Sequence, residues 1–201
     1  SRFLIRAGSV GCIAKRIIYK GKAAHAGGEP EAGINALYAA SCGLNAVNAI
    51  RETFLDEEYI RVHPIITSGG SMVNAIPDTA TLESYVRGKT YEAMVRENKK
   101  VNRAFAGAAL SLGANVEIVD SPGYAPLNND YNMMLLAKDA IELALPGTPY
   151  LFLEENFSKG STDMGDLSCI MPVIHPYAGG ATGTSHGNDY YITDPEAACV
   201  A

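Results

Sequence analysis

His25 stands in GKAAHAGGEP, a run of small residues between a branched-residue segment and Pro30. An imidazole flanked by Ala and Gly can come close to a ligand and donate to a developing oxyanion. The ordinary alternative is a histidine that satisfies a turn. Asn74 lies in GGSMVNAIPD and Arg87 at the end of the segment after it, thirteen positions on. An amide and a guanidinium converging on one spot would make a carboxylate receptor, because Arg offers two parallel donors and Asn a third. Against this stands a strand-end Arg that pairs with Glu83 on the surface, which is common and worth little. His186 in TSHGNDYY is of the type and setting of a metal ligand, but zinc takes three or four. Asp163 in GSTDMGD could touch a metal, a ligand or a local amide, and an Asx turn is the simpler reading. The Glu154-Glu155 pair has the chemistry of a metal ligand beside a general base. It reads more simply as a charged strand end. His63 and His175, each among Pro and apolar neighbours, read as packed or surface residues.

The elements that must position these residues follow from periodicity. Residues 9–20 carry strand-like branched side chains, and Pro30 is placed to open a helix across 31–55, with Ile34, Leu37, Tyr38, Leu44, Val47 and Phe54 at helical spacing. Residues 59–67 read as a strand. From Thr79 to Arg87 the alternation is cleanest: Ala80, Leu82, Ser84 and Val86 share one face. A second helix spans 91–112, with Met94, Val101, Phe105, Ala108 and Leu112 on one stripe. Arg96, Glu97, Lys99, Lys100 and Arg103 fall on its solvent side, and Gly113 ends it. A short strand over 115–119 completes a strand-helix-strand-strand-helix-strand order. That order predicts an α+β, ferredoxin-like domain, a four-stranded antiparallel sheet with both helices on one face.

SPGYAPLNND, with two prolines and three Asn or Asp residues, reads as a boundary. Two domains are expected: 8–121, and 122–201 joined by 1–7. The second alternates a helix over 132–145, apolar runs read as buried strands, and glycine-rich loops, in the manner of a partial α/β domain.

The chain has 201 residues, a net charge of -6 and 47% hydrophobic residues. An acidic balance argues against a nucleic-acid partner. No apolar run has the length of a membrane span, and the start lacks the succession of a signal peptide. The four cysteines, Cys12, Cys42, Cys169 and Cys199, form no C-x-x-C pair and are each expected as buried reduced thiols, which suits the cytoplasm.

Taken together, GKAAHAGGEPEAGINALYAA, GGSMVNAIPDTATLESYVRG and GSTDMGDLSCIMPVIHPY with TSHGNDYYITD resemble the zinc metallopeptidase and amidohydrolase family of aminoacylases and glutamate carboxypeptidases. The third stretch resembles its p-aminobenzoyl-glutamate hydrolase branch. The resemblance implies a lid, or dimerisation, domain followed by a C-terminal portion of the catalytic domain. It implies that His25 reaches across a homodimer to polarise the scissile carbonyl and that Asn74 and Arg87 hold a substrate carboxylate. His186 would be the last metal ligand in sequence order, with Asp163 a further candidate. The implied cofactor is a divalent metal, zinc first, with manganese or cobalt as alternatives. The implied substrates are N-acyl amino acids, p-aminobenzoyl-glutamate-like amides or dipeptides. The family's H-x-D or C-x-H motif and its Glu-Glu pair precede the lid, and neither occurs before Gly8; Glu154-Glu155 comes after the lid and is excluded from that role by order. The chain therefore reads as a piece of a longer enzyme, inactive alone, the alternative being a non-catalytic dimerisation or ligand-binding module. The first helix, uncharged between Glu31 and Arg51, is the expected pairing surface.

Overall fold

A computed structural model describes residues 2–184 and 186–200. In chain order the strands are β1 (Phe3–Ser9), β2 (Gly11–Lys20), β3 (Ala24–His25), β4 (Arg61–Val62), β5 (Ile65–Ser68), β6 (Ala75–Ile76), β7 (Thr79–Gly88), β8 (Asn115–Tyr124), β9 (Leu127–Asn128), β10 (Tyr150–Ser158), β11 (Tyr177–Ala178), β12 (Ala181–Thr182) and β13 (Tyr191–Ile192). The helices are α1 (Ala36–Ile50), α2 (Tyr91–Ser111), α3 (Tyr131–Ala144), α4 (Met164–Ser168) and α5 (Pro195–Val200). The chain divides into two compact units, Val10–Pro126 and the remainder, made of the residues up to Ser9 and those from Leu127 on.

In the Val10–Pro126 unit the strands lie in the order β4-β7-β2-β8, with β5 continuing the β4 edge along β7. Every pairing is antiparallel. The expected strand over 59–67 is thus two short strands separated by His63 and Pro64. Proline has no N–H for the ladder, which is why such a break falls on an edge. Strand β7 keeps the alternation read from its sequence: Ala80, Leu82 and Val86 are fully buried, while Glu83 and Tyr85 lie exposed on the other face. Strand β8 runs to Tyr124, five residues beyond the expected end, because a register shift at Cys12/Ile13 lets the pairing with β2 continue past Pro122.

Helices α1 and α2 pack on each other and on this sheet. Helix α1 begins at Asn35, whose side chain accepts from the Tyr38 N–H, and α2 at Thr90, whose hydroxyl accepts from the Ala93 N–H. The face that α1 buries is made of small residues, Ala36, Ala39, Ala40, Gly43 and Val47. Tyr38, expected on the apolar stripe, is 64% exposed. Small residues let the helix come down close. A Cβ at Gly43 would lie 2.4 Å from the Tyr19 hydroxyl oxygen and 2.8 Å from Phe105. That hydroxyl donates to the Phe105 carbonyl at 2.9 Å, joining β2 to α2 beneath α1.

Two features of α2 differ from expectation. Glu97, expected on the solvent side, is 1% exposed. It sits three residues after Met94 and four before Val101 and so falls on their stripe, where Arg96 and Lys100 hold its carboxylate. Leu112, expected on the stripe, caps the helix and is 39% exposed. The core also holds a polar cluster. The buried Lys15 ammonium reaches Asp120 and Asn102, and the Asp120 carboxylate accepts from Asn98 at 2.7 Å and Asn102 at 2.9 Å.

In the other unit β1 is central, parallel to β10 and antiparallel to β9 and β11. Asp130 caps α3 through the Met133 N–H. Strand β10, expected to be buried, is an outer strand with Leu151 46% exposed. Of the four cysteines only Cys12 is buried, against the expectation for all four; Cys42 lies on the outward side of α1. No described helix is long and apolar enough to cross a membrane.

Candidate functional site around His25 and Asn74

After β2 ends at Lys20, the chain leaves the sheet through Gly21, whose N–H donates to the Asp78 carbonyl at 2.7 Å. Lys22 and Ile34 then exchange backbone hydrogen bonds of 2.9 Å each, closing the loop that contains His25. The two residues of β3 pair antiparallel with β6, placing His25 opposite Ala75. One residue further, the Ala26 N–H donates to the Asn74 carbonyl at 2.9 Å. The sequence positions 25 and 74 are thus adjacent in space, and both residues are exposed.

The imidazole is held by its own turn. His25 Nδ1 accepts from the Gly28 N–H at 2.9 Å and from the Gly27 N–H at 3.2 Å. The Glu29 N–H donates to the His25 carbonyl at 3.1 Å. In the sequence the small neighbours suggest room for a ligand. In the structure they bring two backbone donors onto the ring, as short polar side chains do in Asx-type turns. A cleft of about 370 Å³ adjoins the pair, lined in part by Ala26, Tyr38, Ser71, Met72 and Val73, with no charged residue in its wall.

Arg87 lies elsewhere. It is the penultimate residue of β7, opposite Cys12 on β2 and Arg61 on β4, with its guanidinium carbon 5.5 Å from the centre of the Tyr85 ring. Asn74 precedes the start of that strand, and Arg87 lies eight residue steps after Thr79, about 26 Å at 3.3 Å per residue. Within one chain the amide and the guanidinium therefore do not converge. An extended strand carries its two ends apart, so the structure does not bring Asn74 and Arg87 of one chain together.

In the other unit His186 lies in the loop between β12 and β13, exposed and with a positive φ of 63°. That loop is braced by Asp189, whose carboxylate accepts from the Thr184 N–H and hydroxyl. Asp163 precedes α4 without capping it; its carboxylate accepts from the Thr162 hydroxyl at 3.2 Å. Glu154 accepts from the Tyr131 hydroxyl at 3.2 Å, which raises the tyrosine's pKa through that bond and the nearby charge. Among the described residues no three His, Cys, Asp or Glu side chains gather as a metal ion requires.

Residues 7–111 match the peptidase dimerisation domain of the M20 group. The chain belongs to this family. It is 33% identical over 180 residues to the Xaa-Arg dipeptidase of Homo sapiens, a match covering 86% of this chain and 39% of that protein. It is 28% identical over 162 residues to a p-aminobenzoyl-glutamate hydrolase homolog of Haemophilus influenzae, covering 74% of this chain and 35% of that protein. Among solved structures, a dinuclear metal-binding peptidase of the M20 family from Bacillus subtilis superposes with a TM-score of 0.69 at 22% identity, over 98% of this chain and 48% of the other. The chain thus spans less than half the length of each of these.

The dimerisation domain presents two neighbouring features suited to a partner. The outward side of α1 carries Tyr38, Cys42, Asn45 and Asn48, all exposed and none charged. Beyond it, β5 is an outer strand with Ile65 50% and Ile66 37% exposed.

Proposed function

We propose that the chain is the lid and part of the catalytic domain of a metal-dependent amidohydrolase that cleaves the amide bond of N-acyl amino acids, p-aminobenzoyl-glutamate-like amides or dipeptides. The observation that carries this is the joining of His25 to Asn74 by the β3–β6 pair inside a peptidase dimerisation domain. The relatives that act, by name, on a dipeptide and on p-aminobenzoyl-glutamate support the substrate class.

In this reading His25 donates to the scissile carbonyl and Asn74 binds beside it. The two are tied by main-chain bonds, so if one reaches a partner's site the other goes with it. Arg87, at the opposite end of β7, then serves a different site from the His25 and Asn74 of its own chain, and each site draws on two copies. A homodimer through α1 and the β5 edge supplies such a pairing, since a two-fold interface is isologous. A divalent metal, zinc by preference, would activate water in the whole enzyme. The described residues do not assemble its ligands. His186, with Asp163 second, contributes at most part of the set. The four free cysteines favour a reducing cytoplasm.

The test is kinetic, in the whole enzyme. Loss of one preorganised donor to a developing oxyanion costs about 10²–10³ in kcat, and His25→Gln is expected to fall in that range with KM little changed. Arg87→Ala is expected to raise KM for carboxylate-bearing substrates. Unchanged constants for both would remove the proposal. The dimerisation-domain match over residues 7–111 supports a second reading for this chain alone, a non-catalytic dimerisation or ligand-binding module. Elemental analysis of the purified chain separates this module from a self-contained hydrolase built on Glu154, Glu155, Asp163 and His186: stoichiometric tight zinc argues for the self-contained enzyme, and none for the module.

A further inference from the structure

His25 is anchored through only one of its two ring nitrogens. Nδ1 accepts two backbone N–H groups, from Gly28 at 2.9 Å and Gly27 at 3.2 Å. A nitrogen receiving donors on its lone pair does not carry a proton, and a neutral imidazole has one proton for two nitrogens. The proton is then on Nε2, which meets no hydrogen-bond partner among the described residues although the ring is exposed. The alternative tautomer would put an N–H on Nδ1 facing two further N–H groups, a contact with no acceptor in it.

We propose that the Gly27 and Gly28 amides are a tautomer lock, which fixes His25 as a hydrogen-bond donor through Nε2 toward a carbonyl oxygen or oxyanion. Gly27 and Gly28 are accordingly positioning residues. The lock excludes the roles that need a bare Nε2: ligation of a metal through that atom, and acceptance of a proton at that atom by the neutral ring. It rests on the proposed function only for the identity of the acceptor. The geometry of the turn is independent of it. The ring sits close to Gly28 in particular. A Cβ at Gly28 would stand 3.2 Å from Nδ1 and 3.5 Å from Cγ, tighter than a side chain beside a ring normally sits, whereas at Gly27 the nearest ring atom is 3.7 Å away. The ring lies over the Gly28 backbone, and the main chain of His25 is held separately by the Ala75 pairing and the Glu29 N–H. Removing a donor therefore need not undo the turn.

The test reads the tautomer directly. Long-range ¹H–¹⁵N correlation spectra of the 201-residue chain, recorded with the histidines neutral, identify which ring nitrogen is protonated. The His25→Gln variant assigns the signal, and the exposed His63 serves as an internal reference for a ring outside this turn. His25 is expected wholly in the Nε2–H form while His63 shows the mixture of an unrestrained ring. Gly28→Pro, which deletes the closer donor, is expected to bring His25 toward the His63 pattern. Gly28→Ala, which keeps the N–H, is expected to leave the Nε2–H form in place. A His25 signal in wild-type protein with the proton on Nδ1, or mixed like that of His63, overturns the lock whether or not the Gly28 variants fold. Should the Nε2–H form be found while His25→Gln leaves the whole enzyme's kinetics untouched, the lock stands and the catalytic reading of His25 falls.

Discussion

Lys15 shows how much one residue's neighbours decide. Its side chain is wholly buried, and burial lowers its pKa against the opposing pull of the Asp120 hydrogen bond and charge. Burial raises the pKa of Asp120, but the hydrogen bonds from Lys15, Asn102 and Asn98 outweigh it, and the carboxyl ends below its ordinary range. The two signs differ in consequence. A carboxyl with a lowered folded pKa adds stability that is present above its unfolded pKa and lost as pH falls through the folded value. A lysine with a lowered folded pKa costs stability while charged and is relieved as pH rises toward its unfolded value. The pair is buried on the lysine side only, Asp120 being 31% exposed; Asp120→Asn, which leaves the Lys15 ammonium without its counter-charge, is expected to cost about 1–3 kcal/mol, while Lys15→Met, which removes the buried cation, is expected to stay within about 1 kcal/mol. Urea unfolding at neutral pH measures both. In Asp120→Asn the deficit should shrink as pH is raised, because the bare Lys15 can then lose its proton; a deficit that stays constant on the alkaline side would show that the ion pair is not the cause. Gly43 supplies a prediction free of charge. A methyl placed against Tyr19 and Phe105 overpacks the α1 contact, so Gly43→Ala is expected to destabilise by about 1–3 kcal/mol, despite the higher helix propensity of alanine.

At the scale of elements, the ferredoxin-like order is legible because α2 and β7 carry strong periods and α1 is long enough to read as a helix. The strand faces of β7 follow from alternation alone, and α2 lies where its stripe places it. What periodicity does not show is which face of a weakly patterned helix goes inward. Helix α1 is so rich in Ala, Asn and Gly that Tyr38 reads as a core residue, yet the smallest face is the one buried, because close approach to Tyr19 outweighs the burial of one large ring. Glu97 reads wrongly for a related reason: its charge suggests solvent, and the helical stripe decides otherwise. The candidate site is legible in part. His25 and Asn74 stand out by their small-residue loops, but their adjacency depends on the two-residue β3–β6 pair, too short to carry a periodic signal. The glycine donors on His25 Nδ1 leave one trace, two glycines at the second and third positions after the histidine. Capping is a further consequence at this scale. Asn35 accepts from the Tyr38 N–H at 3.0 Å, and α1 has no acidic residue in its first turn to take over. Asn35→Ala is expected to cost about 1 kcal/mol. A thermal or urea melt checks it, and an unchanged midpoint would mean that solvent replaces the cap without loss.

For the whole molecule, the question is what covers the uncharged side of α1 and the free edge of β5. An outer strand with two exposed isoleucines invites pairing with another chain, and proteins normally protect such edges with charge, proline or cover. Here Pro64 ends the protection at the start of β5, and Ile65–Ser68 carries no charge. Two-fold pairing of β5 with its copy would extend the sheet across the axis and set the two α1 helices side by side. The helix faces suit this, since Cys42, Asn45 and Asn48 are small or neutral and cost little to desolvate beside a matching surface. Light scattering of the chain is expected to give twice the monomer mass, with the dimer retained on dilution into the micromolar range. Ile66→Lys would place a like charge opposite its own copy near the axis, and Tyr38→Asp would do the same on the helix. Both side chains are exposed in the single chain, at 37% and 64%, so neither change disturbs the monomer core, and circular dichroism should remain that of the wild type. Each variant is expected to shift the population to monomer; if, as proposed, a site takes His25 and Asn74 from one copy and Arg87 from the other, activity of the whole enzyme falls in step with dissociation. A monomeric variant with full activity would break that link, and a dimer that survives both substitutions would place the interface elsewhere.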